Sequence, residues 1–283
     1  MTKCIVWILN GQELSKQLLA SRYENLDRIA YMGCSGICAL YECNELSSLV
    51  PSFPTLDQCF LQVSGWSRWT RCPYKDNFPS NTLYGLRTTV LTTDETLVKY
   101  SDQLRPLMTR SLSAHTADQD SLTRQLWHNC YELLLQDTSG NSDLVFIYLK
   151  NMPNHVILRV ADTVIGMLLS VPGEVPFLGI LGFDPTWKKR FEDLLPCQGE
   201  STSFIPRQSF QSIDDHILEK ECFDHHNTHL WSSFFKEGFT RRDNCCRFLP
   251  EECLSLGCNR VVLAEHLVYE LAFLLEKVPK YGS

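Results

Sequence analysis

Apolar residues fall along this chain in short blocks with two different periods. Cys4 to Leu9 (CIVWIL) is a continuous apolar run stopped by Asn10-Gly11, the pattern of a strand buried on both faces. From 12 to 33 the spacing of Leu14, Leu18, Leu19, Leu26, Ile29 and Ala30, closed by Gly33, predicts a helix. A second short strand is expected from Gly36 to Leu40. Leu144 to Leu149 reads as another buried strand, and Val156 to Leu169 as a helix with Val160, Val164, Met167 and Leu168 on one face. Pro176 to Phe183 reads as a strand again. Strand, helix and strand within about forty residues make a βαβ unit, which demands a parallel sheet covered on both faces. Val261 to Val278, with Val262, Leu267, Leu271, Leu274 and Leu275, predicts a long closing helix docked on the core.

The stretch 44–142 is less regular. Pro, Ser, Thr and Asp recur there, and Trp66, Trp69 and Tyr74 sit in a turn-rich segment. Leu86 to Leu91 alternates weakly, and Leu122 to Leu135 reads as an amphipathic helix. A polar region from about 196 to 222 predicts flexibility. No internal repeat or low-complexity tract interrupts the chain.

The chain of 283 residues suffices for one large α/β domain, and 44% hydrophobic content supplies its core. A net charge of -7 argues against a nucleic-acid binder that relies on a basic surface. The 13 cysteines fit a disulfide scaffold or a reduced intracellular protein. The opening apolar run is too short for a signal segment and lacks a small-residue cleavage site. No stretch approaches the roughly 18 apolar residues of a membrane span. Cytosolic or nuclear residence with free thiols is therefore expected.

Several segments, in order, resemble the archaeal-type cofactor-independent phosphoglycerate mutases of the alkaline phosphatase group. The first is the strand ending in Asn10-Gly11, where the family has Asp-Gly. The second, Asn25-Leu26-Asp27-Arg28-Ile29-Ala30 followed by Gly33 and Gly36, is similar to the family's PNLDRLA helix and turn. The third is Asp143 to Lys150, similar to DFVFVHVK, with Ala161-Asp162-Thr163 in the helix after it. The fourth is His226 with Arg241-Arg242-Asp243, and the last is Phe248 to Arg260, which carries Glu251, Cys253 and Gly257. The resemblance covers roughly 1–45, 140–190 and 225–283. It implies a three-layer α/β/α sandwich with a mostly parallel central sheet in a single domain over 1–283, and makes 44–142 a shortened or replaced cap insertion.

The resemblance also implies a chemistry this chain is poorly equipped for. The group holds two dications that activate a Ser or Thr nucleophile and clamp a phosphoryl group, and several carboxylates and histidines must neutralise them. Here Asn10 stands for the first Asp, and Leu56, between Thr55 and Asp57, falls at the nucleophile. Asp184-Pro185 replaces Asp-His, and Lys150-Asn151-Met152-Pro153-Asn154-His155 shortens the Lys, Asp and Gly-His element. Asn10, Asp184, His226 and, in the shortened element, His155 are thus vestigial metal positions, and no catalytic residue, bound metal or cofactor is expected. The expected function is a catalytically inactive phosphomutase-like protein acting as a scaffold or interaction subunit in an intracellular assembly with other proteins. The alternatives are an active metal-dependent enzyme with rearranged ligands, and a non-catalytic binder of a phosphorylated ligand.

Other constellations point to duller roles. Asp224-His225-His226-Asn227-Thr228-His229, with Asp214-Asp215-His216 upstream, is rich in metal-ligand types, yet neighbouring strand residues face opposite ways. Cys34, Cys38, Cys43, Cys245, Cys246, Cys253 and Cys258 lack paired Cys-x2-Cys knuckles and are expected to be ordinary thiols. Gly33-Cys34-Ser35-Gly36 lacks the Lys-Ser/Thr of a phosphate loop, and no Gly-x-Ser-x-Gly elbow occurs. Arg207-Gln208-Ser209 and Arg241-Arg242 read as a solvated loop and a turn. Trp66, Trp69 and Tyr74 either pack locally or offer a partner surface.

Overall fold

A computed structural model describes residues 3–40, 58–71, 75–113, 118–135, 141–172, 176–185, 212–213, 216–217, 229–258 and 261–279. Strand β1 (Cys4–Asn10) opens the chain, with residues 4–9 buried. The helical spacing over 12–33 resolves into two helices, α1 (Leu14–Ala20) and α2 (Glu24–Met32), rather than one. Ser21 and Tyr23 between them are extended, which lets Leu18, Tyr23 and Leu26 all reach the core while Leu19 faces solvent. Next come β2 (Cys34–Ala39), the short helices α3 (Gln58–Val63) and α4 (Trp66–Arg71), and β3 (Thr88–Thr92). Helix α5 (Glu95–Lys99), β4 (Met108–Ser111), α6 (Gln119–Cys130) and β5 (Leu144–Leu149) follow. A π-helical turn over Tyr131–Leu135 extends α6, in place of the single helix expected over 122–135.

Helix α7 (Asn154–Leu169) and β6 (Phe177–Phe183) complete the expected βαβ unit. Two-residue strands β7 (Ser212–Ile213) and β8 (His216–Ile217) pair with each other. The remainder is β9 (His229–Phe235), α8 (Pro250–Ser255), β10 (Val261–Leu263) and α9 (Leu267–Leu274). The long closing helix expected over 261–278 is therefore corrected. Its first residues pair with Ile37–Ala39 as an edge strand, where β-branched Val261 and Val262 suit a pleat.

The main sheet has the order β10-β2-β9-β6-β1-β5-β3-β4. Strand β9 is antiparallel to both its neighbours, and every other pairing is parallel. Side chains alternate across the sheet, so β1 feeds two cores. Ile5, Trp7 and Leu9 join one face with residues of α1, α2, α6 and α7. Cys4, Val6 and Ile8 join the other with residues of α3, α4 and α9. Helix, sheet and helix make the expected three-layer sandwich. Two of its strands, β3 and β4, come from the 44–142 stretch. Trp66 and Trp69 are buried, with Trp69 edge-on to Tyr84 at 5.1 Å and tilted against Phe78 at 5.7 Å. The local-packing reading of these tryptophans is the one realised; Tyr74 lies outside the described residues.

Candidate functional site

The carboxyl ends of parallel strands are where open α/β sheets gather ligand-binding residues. Here that edge collects Asn10 from β1, Tyr148 from β5 and Lys150 after it, Thr93 and Asp94 after β3, and Asp184 after β6. Asn10 donates from Nδ2 to the Tyr148 hydroxyl at 3.3 Å. Gly11 leaves room for Asn154, whose side chain occupies the space a Cβ would need and whose Nδ2 donates to the Gln12 carbonyl at 2.6 Å. The Gly of the opening motif is thus a packing requirement.

Asp184 is buried and bound to helix α1. Its Oδ1 accepts from the Glu13 N–H at 3.1 Å. Its Oδ2 accepts from the Ser15 N–H at 2.9 Å and the Ser15 hydroxyl at 2.7 Å. These are the orphan N–H groups that a helix start must satisfy. They also hold Glu13 at φ 58, a left-handed conformation that non-glycine residues avoid.

Asp94 is committed in the same way. Its Oδ1 accepts from the Thr96 N–H at 2.9 Å, capping α5, and its Oδ2 lies 3.4 Å from Lys150 Nζ. Thr93 Oγ1 and the backbone of Lys150 exchange two hydrogen bonds at 2.9 Å, which tie β3 to β5 beyond their last paired residues. Sequence reasoning passed over this Asp94–Lys150 pair; Asp94-Glu95-Thr96, a helix-start signature, was its visible half.

These donors fit a pair of dications poorly: among the described residues, Asn10 is uncharged and Asp94 faces a lysine. His155 is exposed on the first turn of α7. His226, Thr55, Leu56 and Asp57, together with Asp214, Asp215, Asp224 and His225, lie outside the described residues, as do Arg207-Gln208-Ser209. The groups of three or more ligand side chains among the described residues come down to Cys34, Asp243 and Cys258, at the opposite edge of the sheet.

The other resemblance motifs act as clamps. The Asp162 carboxylate of α7 accepts from the N–H groups of Asn25 at 2.7 Å and Leu26 at 3.0 Å, capping α2. Asp27 accepts from the Phe248 N–H at 2.9 Å and faces Arg247 at 3.5 Å. Asp143 receives the Arg87 guanidinium at 3.1 and 3.2 Å and its N–H at 2.9 Å. Burial alone would push the Asp143 carboxyl up; Arg87 outweighs it and holds the group below its ordinary value.

No family model matches the chain, and no curated protein matches it in sequence. Solved structures do match in shape. The PH0037 protein of Pyrococcus horikoshii superposes with a TM-score of 0.56 at 15% identity, over 100% of this chain and 99% of its own. The cofactor-independent phosphoglycerate mutase of Thermoplasma acidophilum superposes with a TM-score of 0.52 at 9% identity, over 96% of this chain and 99% of its own. The fold is that of a cofactor-independent phosphoglycerate mutase. On this mutase fold the edge bearing Asn10 and Asp184 has its described polar groups hydrogen-bonded or ion-paired: Asn10 with Tyr148, Asp184 with Ser15 and Asp94 with Lys150. No helix among the described residues is long and apolar enough to cross a membrane.

Proposed function

We propose that this chain is a catalytically inactive protein on the mutase fold, serving in the cytosol or nucleus as a scaffold or interaction subunit of a protein assembly. The observation that carries the reading is Asn10, which bonds to the Tyr148 hydroxyl where the resembled family has its first metal-binding Asp. An amide there removes the charge that a bridging dication needs, and the retained Asp184 serves to cap α1 through Glu13 and Ser15. The nine described cysteines are free thiols, which accords with a reducing compartment.

Three experiments test the reading. Recombinant chain supplied with manganese or zinc is expected to hydrolyse an aryl phosphate no faster than its Asp184→Ala variant. Two ions per chain that disappear in Asp184→Ala, together with hydrolysis lost in that variant, would establish the active-enzyme alternative instead. Affinity purification at native expression levels is expected to bring down a reproducible set of companion proteins. Recovery of the chain alone would remove the scaffold role, and thermal stabilisation by phosphate compounds in EDTA would mark a non-catalytic binder.

A further inference from the structure

The edge of the sheet opposite Asn10 and Asp184 brings together side chains far apart in sequence. Cys34 begins β2, and Cys258 precedes β10, which pairs with β2. Their sulfurs lie 3.1 Å apart across 224 residues of sequence. Asp243 joins them, and the three ligand atoms all lie within 4.8 Å of one another. From these three groups we propose a site for one soft divalent cation of the zinc class, which staples the start of β2 to the 243–258 segment.

Thiolate sulfur selects zinc over harder ions, and zinc accepts a carboxylate oxygen beside it. Zinc–sulfur bonds of about 2.3 Å in a tetrahedron place sulfurs roughly 3.8 Å apart. The pair therefore needs to open by only about 0.7 Å to admit the ion. Cys34 and Asp243 are half-buried and Cys258 is exposed, so a fourth position faces water.

The cage is held in place by backbone contacts. Asp243 Oδ2 accepts from the N–H groups of Ser35 at 2.5 Å and Cys258 at 3.3 Å, and Oδ1 accepts from Cys245 at 3.0 Å. The Asp243 N–H donates to Gly33 at 3.1 Å. Glu252 accepts from the Cys246 and Arg247 N–H groups at 2.7 and 2.9 Å, fixing the intervening loop. Gly257 lets the turn before Cys258 press on β2, because a Cβ there would run into the carbonyls of Cys253 and Ser35. Such outer contacts orient metal ligands. Burial first, then Cys258 and Asp243, push the Cys34 thiol above its ordinary range. A bound dication reverses that penalty by favouring the thiolate.

The test titrates cobalt(II), as a coloured substitute for zinc, into metal-stripped full-length chain under reducing conditions. The expected result is about one equivalent bound, with tetrahedral visible bands and a near-ultraviolet sulfur-to-cobalt charge-transfer band, both discharged by zinc. The Cys34→Ser/Cys258→Ser double variant loses the band, and Cys246→Ser keeps it. Zinc also shields Cys34 and Cys258, but not Cys246, from alkylation mapped by peptide mass spectrometry. This readout on the unmodified chain decides the matter even if the double variant misfolds. An octahedral spectrum without charge transfer, or cobalt binding that persists in the double variant, overturns the proposal. So does isolation of a Cys34–Cys258 disulfide that binds no metal.

Discussion

Asp184, Asp162 and Asp243 each commit a carboxylate to backbone N–H groups of a distant segment. Buried donors left unmade cost about 1–3 kcal/mol, more when the lost partner is charged. Asp184→Ala is therefore expected to destabilise the protein by about 1–3 kcal/mol, read from urea unfolding. An unchanged midpoint would remove the capping role and return Asp184 to a functional one. Glu270 gives a second residue-scale expectation. Burial pushes its carboxyl up from 4.5 to about 7. The folded chain then binds more protons than the unfolded chain between those values, so this group's contribution falls as pH rises through that window. Glu270→Gln is expected to match the parent at about pH 4 and to exceed it by about 1–3 kcal/mol at about pH 8. Urea unfolding at both pH values checks this, and an identical difference at the two would refute it.

Among elements, the β6–β9 contact is set by a glycine. Gly182 faces Trp231, and a Cβ at 182 would fall inside the buried indole. Gly182→Ala is expected to cost about 1–3 kcal/mol through overpacking, with a changed near-ultraviolet signal from the displaced tryptophan. Full stability with an unaltered tryptophan spectrum would show that the strands part easily there. Helices α1 and α2 teach a related lesson. Helical spacing continues through Ser21 and Tyr23, but the Asp162 carboxylate caps α2 afresh at Asn25 and Leu26, so the chain restarts instead of continuing. A cap supplied from 136 residues away has no local trace.

Over the whole molecule, β3 and β4 extend the same sheet as β1, with β3 paired along β5. The 88–111 segment is thus expected to unfold together with the remainder. Tryptophan fluorescence and far-ultraviolet circular dichroism should give coincident denaturant transitions. Two separated transitions would mean that this region is an independent unit. The sandwich also separates two chemistries. One edge carries Asn10 and the helix-capping Asp184, and the other gathers two thiols and a carboxylate.

Periodicity alone determined the buried strands β1, β5 and β6, the helix α7 and a parallel sheet covered on both faces, because burial on two faces writes continuous apolar runs into the chain; the resemblance added the three-layer plan. The resemblance motifs were legible for a like reason: Asp27, Asp143, Asp162 and Asp243 are clamps on which the fold depends. The bonding of Asp184 to α1, the pairing of Asp94 with Lys150, the recasting of 261–263 as an edge strand and the meeting of Cys34 with Cys258 were decided only in three dimensions. Each joins groups that sequence spacing cannot relate, and a side chain's chemistry follows from the groups packed beside it.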